Sequence, residues 1–416
     1  MPSPTATFIP DILEEHVEEL AFLWEQRQAA VRDPRYTIRE LTYLEERITA
    51  HLQGVLAVGE IALPLLEDTL AAEDPHMVFA AAYALLHAKN ETATARVRDS
   101  FGHAQGPVLA ALQDALAQAP LNPGVAPFRE LFHGGPAPVS AAAGTILAFH
   151  SALEPTIPQI ERLLRHEDAV VRQSGWRLVG YLGVPLDAKT YAAAMRDDDP
   201  GVRRAALYAG AWCGQPGVLA VCRKLAAQPT PEDRDALELL AILGAPEDAR
   251  LVATLATTAA LGPARFQLVG TYGHPALMDL VLTTLAEPDP AIAAAAGAAF
   301  TKMTGQNIDS EKKAKLPPEN GSVPDEFEAE FQEEVTLPDP EVAHRHWKLV
   351  KPVFQQACRL RRGFDVGGAL TAEVFGALDM ESRWEILLRA RFQGKWSGSP
   401  LRLEVFPQAN PTASSR

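Results

Sequence analysis

A chain of 416 residues is long for one compact domain, which runs to roughly 100–200 residues, unless it is an array in which each unit packs only on its neighbours. Apolar residues make up 47% and aromatics only 7%, with alanine prominent and alternating β-branched runs scarce, which argues against an all-β fold. The 53 acids against 38 bases leave a net charge of −15, which disfavours phosphate backbones as partners, and the three cysteines (Cys213, Cys222, Cys358) lack metal-ligand spacing and point to reduced thiols in a cytoplasmic protein.

The opening Met1-Pro-Ser-Pro-Thr-Ala-Thr7 has no basic stretch and no apolar core, so no signal peptide is expected. No apolar run reaches the ~18 residues of a membrane span. Residues 8–31 predict a helix with Leu13, Val17, Leu20 and Trp24 on one stripe, ended by Asp33-Pro34. Residues 37–57 predict a second, with Ile38, Leu41, Leu44, Ile48, Leu52 and Val55 at steps of three and four, and with Glu45, Glu46 and Arg47 off the stripe. Together they make an N-terminal helical cap over 1–58.

Residues 59–305 repeat a helical hairpin. The clearest copy is Asp197-Asp-Asp-Pro-Gly-Val-Arg-Arg-Ala-Ala206: Asp199 is placed to cap a helix and Pro200 to sit in its first turn. Related turns stand at Glu73-Asp74-Pro75, at Glu167-Asp168-Ala-Val-Val-Arg172 and at Asp289-Pro290. Asp168 and Asp199 are 31 residues apart, Asp74 and Asp168 are 94 apart, and Asp199 and Asp289 are 90 apart, so the period is about 30 with intermediate units degenerate. Those pair Phe128–Phe132 with Ala141–Phe149, Val218–Leu225 with Asp235–Leu243, and Ala249–Thr257 with Ala264–Tyr272. Gly183, Gly214, Gly244, Gly273 and Gly305 suit left-handed helix C-caps. The pattern Asp-Pro-x-Val-Arg-x-Ala-Ala resembles the turn of HEAT repeats, which implies an all-α HEAT-like α-solenoid.

Residues 306–340 predict a polar and acidic linker, with six acids in the ten residues from Asp325 to Glu334. A small C-terminal helical module follows over 341–405, with helices at Glu341–Arg362, Thr371–Leu378 and Glu381–Phe392, a turn at Gly363–Gly368 and a strand at Leu401–Phe406. Residues 406–416 are expected to be disordered.

No constellation carries chemistry on its own. Asp197-Asp198-Asp199 lacks the glycine and glutamate of a calcium loop, because Val202 and Tyr208 stand there. His166-Glu167 resembles the His-Glu pairs of HEAT-repeat diiron hydroxylases, but it is a single pair. Glu341-x-x-His344-x-His346 has no second ligand cluster. No nucleophile elbow, phosphate loop, dinucleotide fingerprint or zincin motif is present. No cofactor and no metal are therefore expected. Arg172, Arg177, Arg203, Arg204 and Arg223 can line one side of the array, or pair with the aspartates of neighbouring turns. Arg359, Arg361 and Arg362 make the C-terminal module locally basic, and Trp347 and Trp384 fall beside them. Tryptophan with arginine is the composition of interface hot spots. Candidate partner-binding residues are therefore Arg172, Arg203, Arg204, Trp347, Arg359, Arg361, Arg362 and Trp384. The alternatives for the C-terminal arginines are a solvated face and intramolecular pairing with the acidic run.

The segment Ile12-Leu-Glu-Glu-His16 … Ala21-Phe-Leu-Trp-Glu-Gln-Arg27 … Pro34-Arg-Tyr36 … Arg47-Ile-Thr-Ala-His51-Leu-Gln-Gly54 resembles the opening of a bacterial HEAT-repeat family of about this length, often encoded beside type VI secretion spike and accessory genes. The resemblance implies a cytoplasmic accessory or adaptor role, with a secretion effector or spike component as protein partner. It brings no catalytic residues. Trp24 and Tyr36 read as packing that closes the open end of the array, and Asp168, Asp199 and Pro200 as its turns. A protein-interaction scaffold is the leading expectation. A HEAT-like enzyme (a lyase or metal-dependent hydroxylase with a small ligand in its groove) and a nucleic-acid binder are the alternatives.

Overall fold

The computed structural model describes residues 10–121, 124–154, 156–316, 332–354, 357–368 and 370–406. The acidic run up to residue 331 and the tail from 407 onward lie outside the described residues. The described chain is an all-α array of HEAT-like hairpins with two short β pairs.

By internal contacts the chain divides into two units, Met1–Gln215 with Asp379–Trp384 and Arg391–Arg416, and Pro216–Leu378 with Glu385–Ala390. The boundary falls inside the array, at a place the repeat spacing does not mark. In unit 1, α1 (Pro10–Ala30) pairs with α2 (Ile38–Ala57), α3 (Leu63–Leu70) with α4 (Pro75–His87), α5 (Glu91–His103) with α6 (Gly106–Gln118), and α7 (Ala126–Gly134) with α8 (Ala137–Phe149). The pairs α9 (Ile157–Leu164) with α10 (Ala169–Leu182) and α11 (Ala188–Ala194) with α12 (Pro200–Trp212) follow. Helices α1, α4, α6, α8, α10 and α12 also pack on one another in succession and form an inner row. In unit 2, α13 (Pro216–Ala226) pairs with α14 (Arg234–Leu243), α15 (Ala249–Thr257) with α16 (Ala264–Tyr272), and α17 (Met278–Thr284) with α18 (Pro290–Thr304), and α14, α16 and α18 form the row. Beyond the array come β1 (Asp309–Lys315), β2 (Glu334–Pro338), α19 (Pro340–Phe354), β3 (Leu360–Arg361), β4 (Phe364–Asp365), α20 (Ala372–Ala377) and α21 (Met380–Phe392).

The turns show why the hairpin recurs. Asp74, Asp168, Asp199 and Asp289 each accept a backbone N–H in the first turn of α4, α10, α12 and α18, at 2.8–2.9 Å. Such a cap is worth about 1 kcal/mol. Inner helices are buried on more than one face; α8 is buried without interruption from Val139 to Phe149. An all-round apolar helix has little periodicity, which is why the intermediate repeats look degenerate in sequence. Close packing of the row depends on small residues. A Cβ built on Gly180 would lie 3.3 Å from Cα of Ala209, and one on Gly270 would lie 3.0 Å from Cα of Ala299. The two contacts sit three repeats apart at the same point of the helix crossing.

Several expectations are corrected. The stretch 306–340 is not only loop, because β1 and β2 pair antiparallel across it. The helix expected to reach Arg362 ends at Phe354, and β3 and β4 form a tight hairpin instead. The strand expected at Leu401–Phe406 is a single 3-10 turn, Pro400–Leu403, capped by Ser399. Within residues 401–406 the buried ones are Leu401 and Phe406, five apart, so the alternating pattern is not used. Phe406, taken as the start of the disordered tail, is 2% exposed. Glu45 is not off the buried stripe but buried itself, held by Arg27 at 2.8 Å. Gly183, Gly214, Gly273 and Gly305 have φ between 64° and 74°, whereas Gly244 has φ −53° and turns straight into the next 3-10 turn.

The C-terminal segments do not form a separate docking module. In unit 2, residues 359–363 cross the ends of three successive helices. Arg359 donates to the carbonyls of Ala241 (2.6 Å) and Gly244 at the end of α14, and its guanidinium lies 4.6 Å over the Tyr272 ring. Arg361 donates to Gly270 (2.8 Å) and Thr271 at the end of α16. The N–H groups of Arg362 and Gly363 reach Lys302 (2.8 Å) and Met303 (3.0 Å) at the end of α18. Burial strips Arg359 of water and pulls its pKa well below the usual arginine value. In unit 1, Arg391 donates to Trp212 at the end of α12 (3.0 Å), and the Ser399 hydroxyl to Tyr181 near the end of α10 (2.8 Å).

Glu385, buried, accepts from Lys302 (2.7 Å) and Arg361 (2.9 Å). Burial alone would raise its pKa, but the two cations outweigh it and hold the carboxyl below its usual value. A depressed carboxyl stabilises the fold above its unfolded pKa and loses that contribution as pH falls through the folded value. Glu385→Gln is therefore expected to cost about 3–5 kcal/mol at pH 7 by leaving two buried cations uncompensated. The gap to wild type should close below about pH 4.5, as denaturant melts across pH would show. Gly270→Val should cost about 1–3 kcal/mol by overpacking the row. Gly102→Ala in α5, where nothing lies within 4 Å, should instead stabilise by up to about 1 kcal/mol.

Candidate functional site

Unit 1 contains a cavity of about 530 Å³ walled by residues of its inner row. Helix α1 supplies Trp24, Arg27 and Gln28, with Arg32 just past its end; α6 supplies Asp114 and Gln118; α8 supplies Phe149. Helix α10 supplies Gln173, Arg177 and Tyr181, and α12 supplies Arg204, Tyr208 and Trp212. These stand five, nine and thirteen positions after the capping Asp168 and Asp199, so i,i+4 spacing puts each set on one face. Trp384 and Glu404 complete the wall.

The cations in this wall are held at different strengths. Arg27 is buried and paired with Glu45. Arg32 donates to Glu404 at 2.8 Å and lies 4.5 Å over the ring of Trp384. Trp384 packs against Tyr208 and Trp212, with centroids 5.5 and 5.7 Å apart. Arg204 lies over Tyr208 at 5.8 Å. Arg177 and Arg204 are exposed to the cavity. The Tyr181 hydroxyl donates to Glu404 at 3.0 Å; burial, then the carboxylate beside it, raises its pKa so that it stays a donor. Burial pushes the Asp114 carboxyl up to about 6, against the amides of Gln113 and Gln28, while Glu404 pushes it further up and Arg177 pulls it down.

Of the residues expected to meet a partner, only Arg204 and Trp384 come together here. Arg172 and Arg203 hold turns: Arg172 makes a bidentate pair with Asp197 (2.8 and 3.1 Å) and donates to the carbonyls of His166 and Glu167, and Arg203 donates to those of Asp197 and Asp198. Arg223 pairs with Asp248 in the same way across 25 residues, as Arg172 does with Asp197. Arg359 and Arg361, at 3% and 2% exposure, are occupied by helix-end carbonyls and are not a docking surface. Arg362 serves through its backbone N–H. Trp347 is buried, stacked near Phe354. Trp24 stacks on Phe79 of α4 at 3.9 Å, and the Tyr36 carbonyl accepts from the N–H of Met380 at 2.8 Å. Arg27, Arg32, Gln118, Tyr181 and Glu404 were missed. Tyr181 and Trp212 share a repeat position that counting from the capping aspartates would have exposed; for Glu404 the sequence holds no signal.

The histidines serve local geometry. His166 accepts from the N–H of Asp168 (3.1 Å), and the His344 ring bonds the carbonyl of Pro340 (2.7 Å). His16 and His51 face each other at 3.1 Å, and a Cβ on Gly54 would lie 2.5 Å from the His16 ring, so the Glu-His and His-Leu-x-Gly motifs fit together. Among the described residues, no group of three His, Cys, Asp or Glu is placed to hold a metal, and no single helix is long and apolar enough to cross a membrane.

No family model matches the sequence, and neither does any curated protein. Among solved structures, the chain is similar to YibA of E. coli at 12% identity and a TM-score of 0.42, covering 60% of this chain and 95% of that one. It is also similar to a Kap121p mutant at 11% identity and a TM-score of 0.32, covering 72% and 38%.

A carboxyl whose folded pKa is raised adds stability below its unfolded pKa and loses it as pH rises through the folded value, here from about pH 4 to about pH 6. Asp114→Asn removes the burial cost of the charge. The variant should match wild type near pH 4 and exceed it above pH 6, by at most about 3 kcal/mol, as denaturant titrations at the two pH values would show.

Proposed function

We propose that the protein is an interaction scaffold that holds a partner protein at the unit 1 cavity, acting as a cytoplasmic adaptor associated with type VI secretion. The observation that supports this is the cavity wall itself. Arginines and large aromatics converge there, with Arg177 and Arg204 facing open space, and these are the residue types that dominate binding energy at protein interfaces. In a chain of net charge −15, such a cluster of cations attracts acidic surface that the rest of the protein repels. The secretion setting comes from the N-terminal motif resemblance alone.

A second reading, a HEAT-like enzyme with a small ligand in the cavity, draws on Asp114, whose raised pKa in a cleft is a mark of functional sites. The two separate in one experiment. Affinity purification from the native host with wild type should recover a stoichiometric spike or effector protein. Arg177→Glu/Arg204→Glu should lose it at least tenfold while melting within a few degrees of wild type, because exposed substitutions rarely cost more than about 0.5 kcal/mol. Equal recovery by the variant places the contact elsewhere. A wild-type eluate holding only a small molecule favours the enzyme.

A further inference from the structure

We propose that the inner face of unit 1 is a peptide-binding site that selects an acidic residue followed two positions later by an aromatic one, and that the chain's own residues 399–406 occupy it as an intramolecular stand-in. The inference rests on the scaffold reading above and names the chemistry of its partner segment.

The main chain of the occupant is recognised first. Gln118 is 4% exposed, and its side-chain amide donates to the carbonyl of Glu404 (3.1 Å) while accepting the N–H of Phe406 (2.7 Å). Glu404 ends the 3-10 turn at φ −109° and ψ −23°, and the bend that follows presents its carbonyl and the N–H of Phe406 together, so one amide meets both. This contact reads backbone, whatever the side chains. Arg27 adds a donor to the same carbonyl (3.2 Å), and Arg27 is itself fixed by Glu45. The clamp is therefore built from buried, pre-positioned groups.

Side chains supply the selectivity. The two oxygens of Glu404 are divided between Arg32 (2.8 Å) and the Tyr181 hydroxyl (3.0 Å). Arg32 can only donate, so an amide in place of the carboxylate loses charge and, in one orientation, an acceptor. Phe406, 2% exposed, lies under the Arg27 guanidinium (5.2 Å) and edge-on to Tyr83 (6.5 Å). Beyond Glu404 the cavity stays open at about 530 Å³, with Arg177 and Arg204 in its wall, so a partner with more acidic residues than the stand-in finds more to bind. Its regular structure is one 3-10 turn, with no ladder to unzip when a competing segment enters.

The test uses the full chain carrying Glu404→Ala/Phe406→Ala and a fluorescent peptide of residues 399–406, Ser-Pro-Leu-Arg-Leu-Glu-Val-Phe. The variant should bind the peptide saturably and at least tenfold more tightly than wild type does. Binding should fall at least tenfold for a peptide with Glu404→Gln, or when Gln118→Ala is added to the protein. No saturable binding by a folded variant overturns the proposal, and so does equal binding of the Gln peptide. Should the double variant not fold, hydrogen exchange on wild type decides: excess peptide must speed exchange at the Phe406 amide, and unchanged exchange overturns the proposal. Peptide that binds while no partner is recovered from the host leaves the site standing and removes the scaffold reading. A partner recovered equally with and without excess peptide does the reverse.

Discussion

The last carbonyls of a helix have no partner within it, and a buried row of parallel helix ends multiplies that deficit. Left unmet, each group costs about 1–3 kcal/mol when buried. The chain meets it in the same way in each unit: a segment from beyond the array returns and donates to helix ends in turn. In unit 2 the donors are Arg359, Arg361 and the N–H groups of Arg362 and Gly363; in unit 1 they are Arg391 and Ser399. Arg359 and Arg361 use their forked side chains to reach two helix carbonyls each, whereas Arg391 reaches one.

Arginine serves the turns as well as the helix ends. Arg172, Arg203 and Arg223 staple inter-helix turns, and Arg359 and Arg361 close helix ends. Arg359 and Arg361 are buried, and buried pairs of this kind add little net energy when made and cost much when a partner is lost, so they specify one arrangement. The buried Lys302–Glu385–Arg361 group has the same character.

Against that background the arginines of the unit 1 cavity differ. Arg177 and Arg204 face open space on the same helix faces that carry Tyr181 and Trp212. The returning chain that closes the helix ends also brings Glu404 to this wall, so architecture and recognition meet in one segment. Arg172, Arg203, Arg359 and Arg361 face turns and helix ends; in the cavity wall Arg27 and Arg32 hold Glu45 and Glu404, and Arg177 and Arg204 are exposed.

The sequence by itself determined the hairpin and its period. Asp168, Asp199 and Asp289, each followed by a helix start, are local signals, because capping and the restriction before proline act within a few residues. The small residues at Gly180 and Gly270 were visible too, although not their role. What the sequence left undecided is which way each arginine faces. Arg172 and Arg204 both follow capping aspartates, yet a difference of one position around the helix sends one to a turn and the other to a cavity. Arg359 and Arg361 looked like surface charge because nothing local marks a residue that lies 118 or 91 positions from the carbonyl it serves. Glu404 is further still from Arg27, by 377 positions, and pairs with it only because the chain returns along the inner row. Short-range rules wrote the repeats; the contacts that make a site are between residues whose separation in the chain carries no periodicity, and only the folded row brings them together.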